Sequence, residues 1–339
     1  MLKEQDNPLI SFIVITYNQE NYIREAIQGA LAQTYSPLEI VISDDCSTDN
    51  TVQIIKKTIA EYKGEHKIII NRNEKNLGIG GNINRVVKLC SGIIIVASAG
   101  DDVSLPERTE EIYYAYKKSD GRAKLICSNA YVMNSSGEVY GDLKDMSKNG
   151  KKWNTFSLEK FIDTFCIPAG ATHAWSRELF DIFGNMITPV NGEDFILPFR
   201  AALLGDVLYI DKYLIKYRKD YNIFRPRNIT IDFNSRIKIL SSDKMVLKNR
   251  IKDIEIYEAI DAYKAKHKNT NFLKKKILPR IDEIEKSILL YNLSHPKRMI
   301  TIIQWVADGM PWRIARRKIG IFLIPNIYNI YIKIKYKIL

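Results

Sequence analysis

Two pairs of adjacent carboxylates stand where apolar runs stop: Asp44-Asp45 after Leu38 to Ser43, and Asp101-Asp102 just beyond Gly92 to Ala97. Adjacent carboxylates repel unless a cation or several donors share them. Each pair is therefore either the solvated chemistry of a turn or part of an ion site. Two pairs at the ends of strands of one sheet favour a shared ligand, and carboxylate oxygens suit a half-hydrated Mg2+ or Mn2+ that also holds nucleotide phosphates. A third pair, Glu193-Asp194, precedes the helical stretch Phe195 to Leu204, which contains Pro198 and ends at Gly205. By residue type Asp194 reads as the cap of that helix, with a general base as the alternative. The stretch Gly78-Ile79-Gly80-Gly81 has Ile83 where a dinucleotide fingerprint needs its third glycine, and follows the third strand; it predicts a tight loop.

The elements that must hold these residues are legible from periodicity. Leu9 to Thr16 is a nearly continuous apolar, β-branched run, the pattern of a parallel strand buried on both faces. Ile23, Ala26, Ile27, Ala30 and Leu31 make one helical stripe between Glu20 and Gln33, with Asn18 or Asn21 as its cap. Further strands are expected at Leu38 to Ser43, Lys67 to Ile70 and Gly92 to Ala97, and helices at Asp49 to Tyr62 and Asn82 to Leu89. This alternation predicts a doubly wound α/β domain, whose ligands sit beyond the carboxyl ends of the strands.

The 339 residues carry a formal charge of +12, but unevenly. Residues 1–230 hold 28 basic and 29 acidic side chains, and 231–339 hold 23 and 10. A near-neutral body with a basic last third predicts a catalytic domain over 1–230 and a helical, membrane-associating region over 231–339. Residues 311–339 contain Arg313, Arg316, Arg317, Lys318, Lys333, Lys335 and Lys337 and no acid. They also carry apolar stripes: Trp312, Ala315, Ile319, Phe322 and Leu323, then Ile327, Ile330, Tyr331, Ile334 and Ile338. These fit a helix lying in an anionic membrane interface, or stripes packed on the body. The uncharged run Ile319 to Ile332 is too short to span a bilayer. Cys46, Cys90, Cys127 and Cys166 form no C-x-x-C pair, which fits a reducing compartment. With Met1 to Pro8 polar, the expected location is cytoplasmic, on the inner face of the cell membrane. Nucleic-acid binding is disfavoured, because the basic third lacks any recognised reader pattern.

The ordered motifs resemble the inverting family 2 glycosyltransferases of the GT-A fold, a Rossmann-like mixed sheet, of the kind that builds bacterial polysaccharides such as O-antigen. They are Ser11 to Asn18, Ala32-Gln33-Thr34 with Leu38 to Asp49, Asn76-Leu77-Gly78 with Asn84, Asp101 to Pro106, and Gly192-Glu193-Asp194. The resemblance implies a nucleotide-sugar donor, UDP-sugar favoured, a Mn2+ or Mg2+ ion, and transfer to a lipid-linked or surface glycan hydroxyl by single displacement. It implies Thr16 and Tyr17 at the nucleobase, Asp44 or Asp45 at base and ribose, Asp101 at the ribose or metal shell, and Asp102 as metal ligand. Asp194 matches the catalytic base, with Glu193 beside it. Many members carry an Asp where this chain has Ala99, which leaves fewer carboxylates for the metal. Tyr217-Arg218 matches an element often completed by a His, here Asp220, so Arg218 or Arg225 is expected to take over the diphosphate contact. His173 either faces the acceptor or is packed. A nucleotide-sugar-binding protein without turnover is the alternative activity.

Overall fold

The structure is a computed structural model and describes residues 7–143, 169–190, 192–219, 233–260, 270–308, 310 and 318. Cys166, Asp220, Arg225 and, apart from Lys318, the basic tail 311–339 lie outside the described residues. The chain divides into two compact units, Met1–Ile229 with Met245–Leu273, and Thr230–Lys244 with Lys274–Leu339.

In the first unit, among the described residues, nine strands form one mixed sheet. Its parallel part comprises β1 (Ile10–Thr16), β2 (Leu38–Asp44), β3 (Lys67–Arg72) and β4 (Ile94–Ala99) in the order β3-β2-β1-β4. The β-branched runs of β1 and β2 are buried almost end to end, because helices cover both faces of a parallel sheet. The chain winds outward from β1 to β3 and returns beside β1 as β4, so the topological switch point lies between β1 and β4. The sheet continues through β8 (Ala174–Ser176), antiparallel to β4, then β6 (Ala123–Met133), β9 (Asp206–Arg218) and the short β5 (Val103–Ser104), with β7 (Val139–Asp142) on β6.

Helices α1 (Ile23–Leu31), α2 (Thr51–Ala60), α3 (Gly78–Val86) and α4 (Arg108–Lys118) follow the first strands. The stripe of α1 packs on Phe12, Val14, Ile40 and Val96 in the main core. Two local expectations are corrected. Gly78 to Gly81 is the opening turn of α3 and not a loop: Gly80 must be bare because a Cβ there would lie 2.5 Å from Val190. Neither Asn18 nor Asn21 caps α1, whose N-cap is Tyr22; Asn18, at φ 52°, instead accepts the Thr48 N–H at 2.9 Å and ties the β1 end to the β2 end. Further along come α5 (Glu178–Phe183), α6 (Glu193–Leu204) and α7 (Phe233–Ala259).

The second unit contains most of α8 (Thr270–Asn292) and α9 (His295–Ala307), which share a small core of Leu290 and Ile302 with Tyr291, Leu293, Trp305, Val306 and Met310. No helix among the described residues is long and apolar enough to cross a membrane.

Candidate active site

The switch point is lined by the ends of β1, β2 and β4. Thr16 sits opposite Asp44 in the sheet and is 4% exposed. Its carbonyl accepts the Asp45 N–H at 2.9 Å, while its buried Oγ1 has no hydrogen-bond partner among the described residues. Gly100 closes in from β4: its N–H reaches the Ile15 carbonyl at 2.9 Å, and a Cβ on it would stand 2.6 Å from Thr16 Oγ1. Only a residue without a side chain lets the turn carrying Asp101-Asp102 approach β1 this closely. Asp44 is consumed locally, accepting both the N–H and the hydroxyl of Ser47 and facing Arg72 Nε at 3.7 Å. Asp45 Oδ1 accepts Asn73 Nδ2 at 2.8 Å and the Leu77 N–H at 2.9 Å, which aims the carboxylate from a buried amide network. Tyr17, the residue after β1, is 44% exposed.

The Asp101-Asp102 turn is set from both sides. Beyond it β5 lies on α1, where a Cβ at Gly29 would meet the Ser104 carbonyl at 2.8 Å, and Gln33 grips the Leu105 carbonyl at 2.8 Å. On the other side the Arg218 backbone N–H donates to Asp102 Oδ1 at 2.7 Å, and Arg218 Nε donates to the Asp101 carbonyl at 2.9 Å. The same guanidinium bonds the Asn134 and Ser135 carbonyls, pairs with Glu25 at 2.7 Å and lies over the Tyr22 ring. Arg218 is thus a clasp on the acidic turn, with most of its donors committed within the protein.

Asp102 is 1% exposed, and its Oδ2 has no hydrogen-bond partner among the described residues. Burial and the neighbouring Asp101 push its carboxyl up to about 8. An orphaned, buried carboxylate oxygen beside a second carboxylate is a position that a divalent cation satisfies. Among the described residues no three His, Cys, Asp or Glu side chains form a ready-made metal cluster. A cation at Asp102 would therefore complete its shell with donor phosphates and water. The Arg108 guanidinium is fully buried, bonds Ser104 Oγ and the Ala97 and Ala171 carbonyls, and acts electrostatically on Asp102; burial lowers it to about 9. Sequence reasoning missed Arg108, since an Arg in the first turn of a surface-like helix carries no signal of burial.

Glu193 and Asp194 open α6, with Gly192 at the N-cap, so Asp194 does not cap the helix by position. Its carboxylate meets its own backbone N–H, and burial raises it to about 6; Glu193, half-buried beside Asp194, is raised to about 7. Gly170, in the 3-10 turn Gly170–Thr172, packs against both: a Cβ on it would lie 3.2 Å from Glu193 Oε1 and 3.3 Å from Asp194 Cβ. Burial pushes the Tyr217 phenol up to about 12, and the charges of Asp102, Asp101 and Asp194 add to the effect. His173 is fully buried, its carbonyl taken by the Ala97 N–H at 3.0 Å and Arg108 Nη2 at 3.3 Å. The arrangement brings Thr16 and Asp45 together at the ends of β1 and β2, sets two carboxylates in the turn after β4, and holds Asp194 as a separate carboxylate raised toward neutrality.

Comparison with known proteins identifies the family. The model for "Glycosyl transferase family 2" matches residues 11–180. The chain is 30% identical over 206 residues to a chondroitin synthase of Escherichia coli, covering 60% of this chain and 28% of that protein. It is 27% identical over 259 residues to an uncharacterized glycosyltransferase of Rickettsia typhi, covering 75% and 70%. The chain spans from about a quarter to a half of the length of the first curated relatives it matches. Two solved structures share the fold. One is S. aureus TarS in complex with UDP-GlcNAc (TM-score 0.50, 17% identity, 83% of this chain and 81% of that one). The other is the mannosyltransferase PcManGT of Pyrobaculum calidifontis in complex with GDP-Man and Mn2+ (TM-score 0.51, 15% identity, 96% and 88%). Family match and mixed sheet agree: the chain belongs to glycosyl transferase family 2 and has the GT-A fold.

Proposed function

We propose that this glycosyltransferase moves a sugar from a nucleoside-diphosphate donor, UDP-sugar favoured, to a hydroxyl of a lipid-linked or surface glycan, with inversion by single displacement. The observation that carries the reading is the buried Asp102 beside Asp101 at the end of β4, one oxygen held by the Arg218 N–H and the other without a hydrogen-bond partner among the described residues, because a cation site of that kind suits a diphosphate donor. Asp102 with Asp101 would hold Mn2+ or Mg2+, which when bound neutralises charge on the departing diphosphate. Asp194, about half ionised near pH 6, accepts the acceptor hydroxyl's proton as the oxygen attacks. Thr16 Oγ1 and Asp45 would receive the nucleoside, with Tyr17 at the entrance and Asp44 holding the loop beneath. Arg218 fixes the acidic turn more than it contacts diphosphate. The neighbours bound to UDP-GlcNAc and GDP-Man support a nucleotide-sugar donor without selecting its base. A thermal-shift panel of UDP-, GDP- and dTDP-sugars, with and without Mn2+, tests this. A UDP-sugar at about 100 times its Kd should stabilise by about 2.7 kcal/mol and only with metal. No shift with any donor would overturn the reading, and binding without UDP release would favour the non-catalytic alternative.

For the acceptor side we propose that the second unit lies on an anionic membrane. On α9, Met299, Ile300 and Ile303 are 46%, 67% and 62% exposed and share one face, immediately before the acid-free basic segment 311–339. An apolar strip followed by Lys and Arg is the pattern of an interfacial helix, each basic residue contributing about 1 kcal/mol near an anionic leaflet. Full-length protein should sediment with phosphatidylglycerol vesicles far better than a chain truncated after Gly309. Equal binding by the two would overturn the role given to 311–339.

A further inference from the structure

The segment between α5 and α6 ends in the turn that carries Glu193-Asp194, and little regular structure holds it. Pro198 weakens that turn further, since it supplies no N–H to the Asp194 carbonyl four residues earlier. Backbone contacts from elsewhere replace the missing ladder. Asn84 on α3 pairs with Met186, accepting its N–H and donating to its carbonyl, each at 2.9 Å. Further contacts come from the Met245–Ala259 portion of α7. Asn249 accepts the Ile187 N–H at 2.7 Å and donates to the Ile187 carbonyl at 3.1 Å, as a strand neighbour would. Lys252 Nζ reaches the Asn185 carbonyl at 2.9 Å. Arg250 donates through both Nε (3.2 Å) and Nη2 (2.8 Å) to the carbonyl of Phe195, the residue after Asp194. Val246 presses on Gly192, where a Cβ would stand 2.9 Å from Val246 Cγ2.

The side chains that do this are costly ones. Asn249, Arg250, Asp253 and Arg200 are all 0% exposed. Arg200, on α6, donates to Asp253 Oδ2 at 3.0 Å and to the Gly184 carbonyl at 2.8 Å, and the two guanidiniums lie over Phe183 and Phe199. Two buried cations with one carboxylate between them add little stability that apolar packing would not supply. What they supply is direction, because a planar guanidinium fixes the backbone oxygen it holds.

We propose that Arg250, supported by Asn249 and by the Arg200–Asp253 pair, is a positioning residue that holds the base-bearing turn of α6 in its reactive geometry. The proposal rests on the reading of Asp194 as the base. It assigns the Met245–Ala259 stretch of a helix in the basic third of the chain to the catalytic apparatus.

The test uses the full-length chain with Arg250→Lys and Arg250→Met. Amide hydrogen exchange is read over 192–197 and over β1 and β2, and donor turnover is read as nucleoside diphosphate release from the UDP-, GDP- and dTDP-sugar panel with Mn2+. In Arg250→Met, exchange over 192–197 should rise about tenfold or more while β1 and β2 stay protected. Its kcat should fall about tenfold or more with donor KM within about twofold, and Arg250→Lys should recover part of the loss. Wild-type exchange over 192–197, or a rise shared equally by β1 and β2, would overturn the proposal. If Arg250→Met does not fold, Arg250→Lys and Arg250→Gln give the same readings. The two failures are separable: an active Asp194→Asn sinks the base and leaves the exchange result standing, whereas an inactive Asp194→Asn with unperturbed Arg250 variants sinks only the brace.

Discussion

Asp194→Asn is expected to lose about 10²–10⁴-fold in kcat, the usual contribution of a general base, while donor affinity changes little. The acceptor hydroxyl has a pKa far above neutrality and must shed its proton as it attacks, and Asn cannot take it. Wild-type kcat should rise with pH through about 6, where Asp194 ionises, and level off above; the residual rate of the variant should lack that limb. The same substitution should stabilise the protein, and the sign follows from the direction of the shift. Folding raises the Asp194 carboxyl from its ordinary 3.8 to about 6, so the folded state prefers the proton. That preference is fully expressed below pH 4 and is lost as pH rises through about 6, leaving a partly buried carboxylate that Asn does not have. With allowance for partial exposure, the variant should be level with wild type at pH 4 and more stable by about 2 kcal/mol at pH 8. Urea midpoints at the two pH values, set beside rates of UDP release, separate a base from a structural carboxylate. Wild-type turnover in Asp194→Asn would rule out the mechanism outright.

The parts of this site that were legible in the sequence share one property: they follow elements whose own pattern is local. The buried strand Leu38–Asp44 is a run of apolar, β-branched residues, and a run of that kind announces both its strand and the carboxylates at its end. The same holds for β1 with Thr16 and for the turn after β4. What escaped depends on contacts between distant segments. Nothing near Gly78 shows that Val190 will press on Gly80, so a helical turn reads as a loop. Asn18 has the composition of a cap, but the β2 end outcompetes the helix for its side chain. Arg108, Asn249, Arg250 and Asp253 look like surface residues of polar helices, and their complete burial is decided by partners 60 or so positions away. The same distance dependence applies across the charge break near residue 230, where Met245–Leu273 packs with the first unit.

Asp102→Asn carries the second large expected effect, and it separates cation binding from folding. Asn keeps the oxygen that accepts the Arg218 N–H at 2.7 Å, so the clasp on the acidic turn survives. It replaces the buried, unpartnered Oδ2 with an amide NH2, which offers hydrogen atoms where a cation needs a lone pair. The folded state loses the attraction of Arg108 and Arg218 for this carboxylate but also its larger burial cost and the repulsion of Asp101. The thermal midpoint should therefore stay level or rise. Catalysis should not survive: a cation at a departing diphosphate is worth several kcal/mol, and at about 1.4 kcal/mol per tenfold its loss lowers kcat/KM about 10²-fold or more. The measurement is UDP release across a Mn2+ titration. Wild type should activate and saturate, and Asp102→Asn should need far more Mn2+ or show no activation, while Asp101→Asn, with Asp102 intact, should retain a saturable response. If Asp102→Asn followed the wild-type metal curve, the orphaned oxygen would have to serve a hydrogen-bond donor of the substrate, and the acidic turn would be a sugar or ribose contact.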